Sequence, residues 1–136
     1  MKKIVVIDGQ GGRLGSLLCE AIQKEPLDAE VYAIGTNSIA TAAMLKAGAD
    51  HGATGENPVI VACRDADVIV GPIWIVCADS LLGEITPNMA HAIGSARAEK
   101  LLVPVNRCSI HVVGTRVKSM SDAVSETVET LRSILS

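Results

Sequence analysis

The sequence predicts a three-layer α/β fold on a mainly parallel sheet with an irregular or antiparallel edge. Three observations carry that prediction. Residues 3–8 form a β-branched run with no polar alternation, as a strand covered on both faces requires. The run breaks into a glycine-rich turn over residues 9–15, and apolar residues then recur at helical spacing: Leu14, Leu17, Leu18, Ala21 and Ile22, with Pro26 closing the segment. Residues 30–34 read as a second strand ending at Gly35, Thr36 and Asn37. Together these make a β-α-β unit, whose helical crossover implies parallel strands.

The remaining elements follow in order. Ser38 or Asn37 caps a helix through Ala47, and Gly48 stops it. Residues 52–55 read as a short strand or a loop, and Asn57 and Pro58 open a helical turn through Ala62. Residues 67–70 form a buried strand ending at Gly71 and Pro72, and the apolar stretch 73–82 is expected to contain a helix. Thr86 with Pro87 opens the next helix, which runs through Met89, Ala90 and Ile93 to Gly94. Residues 101–103 are a further strand, and the segment to 110–113 is too short for a parallel return. An antiparallel hairpin or a bent strand is expected at that edge. Val124, Val128, Leu131 and Leu135 mark a closing amphipathic helix, with Ser119 and Asp122 spaced as a capping box. No repeat or linker divides the chain, so residues 1–136 are read as one Rossmann-like, nucleotide-binding-type domain.

Composition narrows the function classes. The chain has 136 residues, 49% of them hydrophobic, which excludes disorder and suffices for a buried core. One Trp, one Tyr and no Phe leave an aliphatic core and no stacking platform for bases. The formal charge of −3 likewise argues against a nucleic-acid partner. The apolar start at Ile4 is too short for a signal peptide, and the stretch 68–78 falls short of a ~20-residue membrane span. A cytoplasmic location with no membrane partner is expected. Cys19, Cys63, Cys77 and Cys108 contain no C-x-x-C pair, so they read as free thiols in small apolar niches. His51 and His91 have no ligand spacing, and no metal is expected.

The glycine turn carries the main functional signal. Gly9, Gly12 and Gly15 stand between a buried strand and a helix. In that context one glycine turns off the strand, one admits a phosphate to the backbone, and one lets the helix pack on the sheet. Backbone N–H groups near Gly12 and Arg13 would face the anion with the helix dipole behind them. No Lys-Ser/Thr follows, which excludes a Walker A loop. Asp8 opposes a phosphate by charge; it either accepts backbone N–H bonds and orders the turn, or holds a metal bridging to the phosphate. The acid that grips an adenosine ribose should close the second strand, and the neutral Thr36 and Asn37 stand there instead. NAD or NADP therefore stays open as a cofactor without the selective carboxylate.

Strand ends supply the other candidates. Asp8, Gly9, Gln10, Gly11, Gly12, Arg13, Leu14, Gly35, Thr36, Asn37, Gly71, Pro72, Asn106 and Arg107 form the expected binding set. Asn106 and Arg107 would contact a phosphate or carboxylate, with Arg supplying a bidentate fork. Cys108 and His111 invite a thiolate–imidazole pair, but on a strand they would point to opposite faces. Glu56 and Glu84 are either an acid/base pair, if their loops converge, or solvated beside the caps Asn57 and Thr86. Trp74 would close over a ligand, anchor a subunit contact or fill the core. Tyr32 lies in the second strand and lacks the lysine partner of a short-chain dehydrogenase, so a self-sufficient dehydrogenase is not expected.

Taken together, Ile7-Asp8-Gly9-Gln10-Gly11-Gly12, Gly35-Thr36-Asn37, Ala42-Ala43-Met44-Leu45-Lys46-Ala47-Gly48-Ala49, Ala53-Thr54-Gly55-Glu56-Asn57, Gly71-Pro72-Ile73, Gly83-Glu84-Ile85-Thr86-Pro87 and Asn106-Arg107-Cys108 resemble the DUF3842 family of short prokaryotic proteins. The resemblance spans nearly the whole chain and implies a bacterial or archaeal origin. It brings no assigned activity, cofactor or catalytic residue. Arg13 departs from the small residue expected in such a turn and adds a positive charge there. The leading expectation is binding of a nucleotide or other phosphorylated small molecule at the turn 9–15. Two others stand beside it: a small enzyme using Asp8, Glu56 or Glu84 as acid/base on a phosphorylated metabolite, and an oligomeric interaction protein without catalysis, such as a homodimer, whose residues 73–82 form the subunit interface.

Overall fold

A computed structural model of the chain describes residues 1–105, 109–116 and 119–136. Strand β1 (Lys2–Asp8) holds the middle of the sheet because Ile4, Val5, Val6 and Ile7 are all fully buried. Successive side chains of a strand point to opposite faces, so this run feeds both layers that cover the sheet. Helix α1 (Arg13–Gln23) leads to β2 (Ala29–Gly35), and α2 (Ser38–Lys46) leads to β3 (His51–Thr54). Helix α3 (Glu56–Cys63) then crosses to β4 (Val68–Pro72). A 3-10 turn (Ile73–Val76) and a second turn (Ser80–Gly83) precede α4 (Pro87–Ser95), β5 (Glu99–Val103) and the closing helix α5 (Met120–Leu135).

The strand order is β3-β2-β1-β4-β5, and every pairing is parallel. Ile4 and Val6 face one core with Leu18, Met44, Val128 and Leu131, from α1, α2 and α5. Val5 and Ile7 face the other with Val59, Ile75, Met89 and Ile93, from α3, the 3-10 turn and α4. Each large aliphatic side chain so buried contributes about 1.5–3 kcal/mol. The three-layer, Rossmann-like reading holds.

Several helix ends sit where the sequence places them. Asn37 caps α2 by accepting the Ala40 N–H at 2.9 Å, Thr86 caps α4 at Met89 N–H, and Ser119 caps α5 at Asp122 N–H. Other expectations need correction. Residues 109–116 form no strand, so no antiparallel edge exists among the described residues. Ser109 at φ 58° and Gly114 at φ 90° turn the chain at either end of the 110–113 run, and Val113 is 96% exposed. A β-branched run without a partner strand or a face to bury does not hold a strand. The stretch 73–82 is also no regular helix, because Leu81 and Leu82 adopt left-handed backbone angles. Gly55, rather than Asn57, precedes the first residue of α3.

Candidate functional site

β1 and β4 are neighbours, yet the chain leaves them toward opposite faces, α1 packing on one and α4 on the other. Such a reversal opens a crevice at the carboxyl ends of the strands, where open α/β sheets hold ligands. Asp8 closes β1 at 3% exposure. Its Oδ1 accepts the Gly9 N–H at 2.8 Å, and its Oδ2 accepts the Gly15 N–H at 2.6 Å. A buried carboxylate needs such charge-assisted bonds, and these two tie both ends of the turn to the strand. Loop ordering, one of the two roles weighed for Asp8, is thus visible in the geometry.

Gly12 turns the chain into α1 at φ 71°. Its N–H donates to the Gly9 carbonyl at 2.9 Å, and its own carbonyl accepts the Ser16 N–H and hydroxyl at 2.8 and 2.7 Å. A Cβ at Gly12 would lie 2.8 Å from Ala40 Cα. At Gly15 a Cβ would lie 2.5 Å from Met44 Sδ and 2.8 Å from Asp8 Cβ, so α1 closes on α2 and β1 only through bare backbone. Gly11 is exposed with open space around it. The first two N–H groups of α1, those of Arg13 and Leu14, have no acceptor among the described residues. They carry the positive end of the helix dipole.

The end of β2 joins the same corner. The Thr36 N–H donates to the Asp8 carbonyl at 3.0 Å, and Asn37 Nδ2 donates to the Gln10 carbonyl at 2.9 Å. A residue from the far side of the crevice completes it. Glu84 Oε1 accepts the Thr36 hydroxyl at 2.5 Å, the Gln10 N–H at 2.9 Å and Asn37 Nδ2 at 3.1 Å. A Cβ on Gly9 would sit 2.6 Å from Thr36 Oγ1 and 2.9 Å from Glu84 Oε1, so Gly9 makes the room for this cluster. Burial raises the Glu84 carboxyl, but the bonds from Gln10, Thr36 and Asn37 outweigh it and hold the group below its ordinary range. Such a group is a carboxylate at neutral pH rather than a proton donor.

The other sequence candidates fall around this cluster. Gly35 N–H donates to Thr41 Oγ1 at 3.1 Å, and Gly71 and Pro72 are buried at the end of β4, with Gly71 against the Ile7 carbonyl. Arg13 is exposed and lines a groove between α1 and α5. Glu56, at the start of α3, accepts the Thr86 hydroxyl at 2.5 Å, so it ties α3 to the segment that follows Glu84 without joining the cluster. Trp74 is 4% exposed, packs in the α3–α4 core and brings its ring edge beneath Gly9. Asn106, Arg107 and Cys108 lie outside the described residues. Burial, then Asp8 and Asp50, push the Cys19 thiol up to about 12, and burial pushes Cys63 up to about 11. Neither is a thiolate nucleophile. Cys77 is half-buried. His51 is exposed, bonded to Glu30 and stacked on Tyr32.

A cleft of about 620 Å³ adjoins the start of α1. Leu14, Val103, Pro104, Val105 and Met120 give it apolar walls, with Thr115 and Arg116 at its polar side. Sequence reasoning missed both Arg116 and the placement of Glu84. Arg116 stands in an irregular segment with no motif around it. Glu84 meets partners 74, 48 and 47 residues away, a distance no local spacing reports. Among the described residues no group of three or more His, Cys, Asp or Glu is placed to hold a metal ion, and no helix is long and apolar enough to cross a membrane.

Comparison with known proteins fixes the fold and the family. No curated protein matches the chain. Among solved structures, the chain is similar to the crystal structure of a dodecameric FMN-dependent UbiX-like decarboxylase from Escherichia coli O157:H7. That likeness has a TM-score of 0.51 and 17% sequence identity, and it covers 98% of this chain and 93% of the other. At that identity it speaks for the fold alone. The profile of DUF3842, a domain of unknown function, matches residues 3–136, and the chain belongs to that family.

Proposed function

We propose that residues 1–136 form a single ligand-binding domain that holds a nucleotide or related phosphorylated cofactor at the turn 9–15. The observation that carries this reading is the pair of N–H groups, those of Arg13 and Leu14, that have no acceptor among the described residues, at the mouth of the β1–β4 crevice. A phosphate supplies the acceptor they lack, and the helix dipole favours its charge. Thr36 and Asn37 add polar contacts from β2, and Asn106 and Arg107 belong to the same expected set. FMN suits this arrangement, since the fold neighbour is FMN-dependent. Its phosphate fits the start of α1, and the adjoining 620 Å³ cleft with its aliphatic walls falls within the roughly 300–1,000 Å³ typical of small-molecule sites. NAD and NADP remain alternatives. The dodecameric state of the neighbour supports self-association as part of the same reading.

Titration with FMN, NAD, NADP and ATP tests the reading, with Gly11→Asp as control. Gly11 is the right position because a Cβ added there meets nothing within 4 Å, whereas a side chain at Gly12 strikes Ala40. Saturable binding of one of these compounds is expected, weakened about 10-fold or more in Gly11→Asp by the added like charge. No affinity for any of the four, or unchanged affinity in the variant, would sink the proposal.

A further inference from the structure

Glu84 reaches the glycine turn on a strap whose backbone is unusual. Asp79, Leu81 and Leu82 have φ values of 64°, 54° and 56°, and Gly83 has 89°. Left-handed angles are unfavourable for residues with a Cβ, and uncommon for a bulky side chain such as leucine. Leu82 is fully exposed, so no burial of its side chain offsets the conformation. The strap is tied at its base, by the Asp79 N–H to the Ile85 carbonyl at 2.7 Å and the Ser80 hydroxyl to the Trp74 carbonyl at 2.8 Å. Its far end is tied across the crevice by the Glu84 carboxylate. Strained backbone persists where surrounding structure over-determines it, and such positions cluster at ligand clamps and switches.

The donors on Glu84 are an oxyanion set. One is a backbone N–H of the glycine turn, one a hydroxyl and one an amide, all converging on a single oxygen. A ligand phosphate or carboxylate would make the same bonds with the same sign of charge, and two anions cannot share one set of donors. We propose that Gln10, Thr36 and Asn37 form an oxyanion site that Glu84 fills in the free protein, and that an anionic ligand enters by displacing the Glu84 carboxylate and releasing the strap 79–84. This rests on the reading that the glycine turn binds a phosphorylated ligand, and adds that the chain carries its own competitor for it. Apparent affinity is then reduced by the fraction of molecules in which Glu84 occupies the site.

Inorganic pyrophosphate is the probe, titrated into wild type, Glu84→Gln and Glu84→Ala, with circular dichroism confirming that each variant is folded. Fluorescence of Trp74, the single tryptophan, reads binding from beneath Gly9. Glu84→Ala is expected to bind about 10-fold tighter or more, with Glu84→Gln between it and wild type. Thr36→Val in the Glu84→Ala background reverses that gain by removing a donor, an effect that loss of a distant negative charge would not produce. In wild type, saturation with pyrophosphate speeds hydrogen exchange at the amides of Gly83, Glu84 and Ile85, which the strap protects. Equal affinity in wild type and variants, with strap protection unchanged, overturns displacement and leaves the ligand-binding reading standing. Absence of binding in all of them overturns both. Binding by Glu84→Ala alone supports both.

Discussion

After β1 the chain turns through Gln10 at φ 48° and Gly12 at φ 71°; after β4 it turns through Asp79, Leu81 and Leu82 at 64°, 54° and 56°. Both segments meet at one crevice, and both need left-handed backbone. The first supplies a glycine at the tightest point, with Asp8 bonded to each end of the turn. The second places leucines in the same conformation, with local ties through Ser80 and Ile85 and long-range ties through Glu84. A turn built from the right residues is rigid by local chemistry. One built against local preference depends on its tertiary contacts, and changes when they do.

That contrast can be broken most severely at the glycine turn. Gly12→Ala combines a Cβ at φ 71° with a collision against the Ala40 backbone, and is expected to cost about 2–4 kcal/mol in urea unfolding. A change under about 0.5 kcal/mol would mean that the turn relaxes as freely as a surface loop. The strap should respond with the opposite sign. Leu82→Gly relieves left-handed strain and removes no buried surface, so a gain of about 0.5–1 kcal/mol is expected by the same measurement. A loss there would show that Leu82 prefers its conformation.

The smallest effect is in acid. The Glu84 carboxyl lies below its ordinary range in the fold, so the unfolded chain binds the extra proton first as pH falls. Its stabilisation is fully present above the unfolded value near 4.3 and is lost as pH drops through the folded value. The stability gap between wild type and Glu84→Gln should therefore be constant from pH 6 to 8 and shrink below roughly pH 4.5. A gap that widens in acid would contradict the hydrogen-bonded carboxylate.

The same contrast explains what the sequence disclosed. The buried β1, the glycine turn, and the caps at Asn37, Thr86 and Ser119 are set by neighbours along the chain, and each is legible. The corner around Glu84 is not, because Gly83-Glu84 reads locally as a polar turn and its partners arrive from β1 and β2. Glu84, from the segment after β4, reaches the end of β2 only in space. Residues 110–113 mislead in the reverse direction, since strand propensity without a neighbouring strand decides nothing.

The central place of β1 has a kinetic consequence. Its ladder to β2 forms across one short helix, but its ladder to β4 pairs Ile4 with Val68, and the Lys3 N–H reaches Asp67 across 64 residues. Pairings that distant slow folding, because the intervening chain must be closed before they form. At a synthesis rate of about 5–20 residues per second, β4 emerges roughly 3–12 s after β1. During that interval the nascent half-sheet presents the unpaired backbone edge of a strand whose centre, Ile4 to Ile7, is apolar, a surface that chaperones cover and that pairs readily with its own copies.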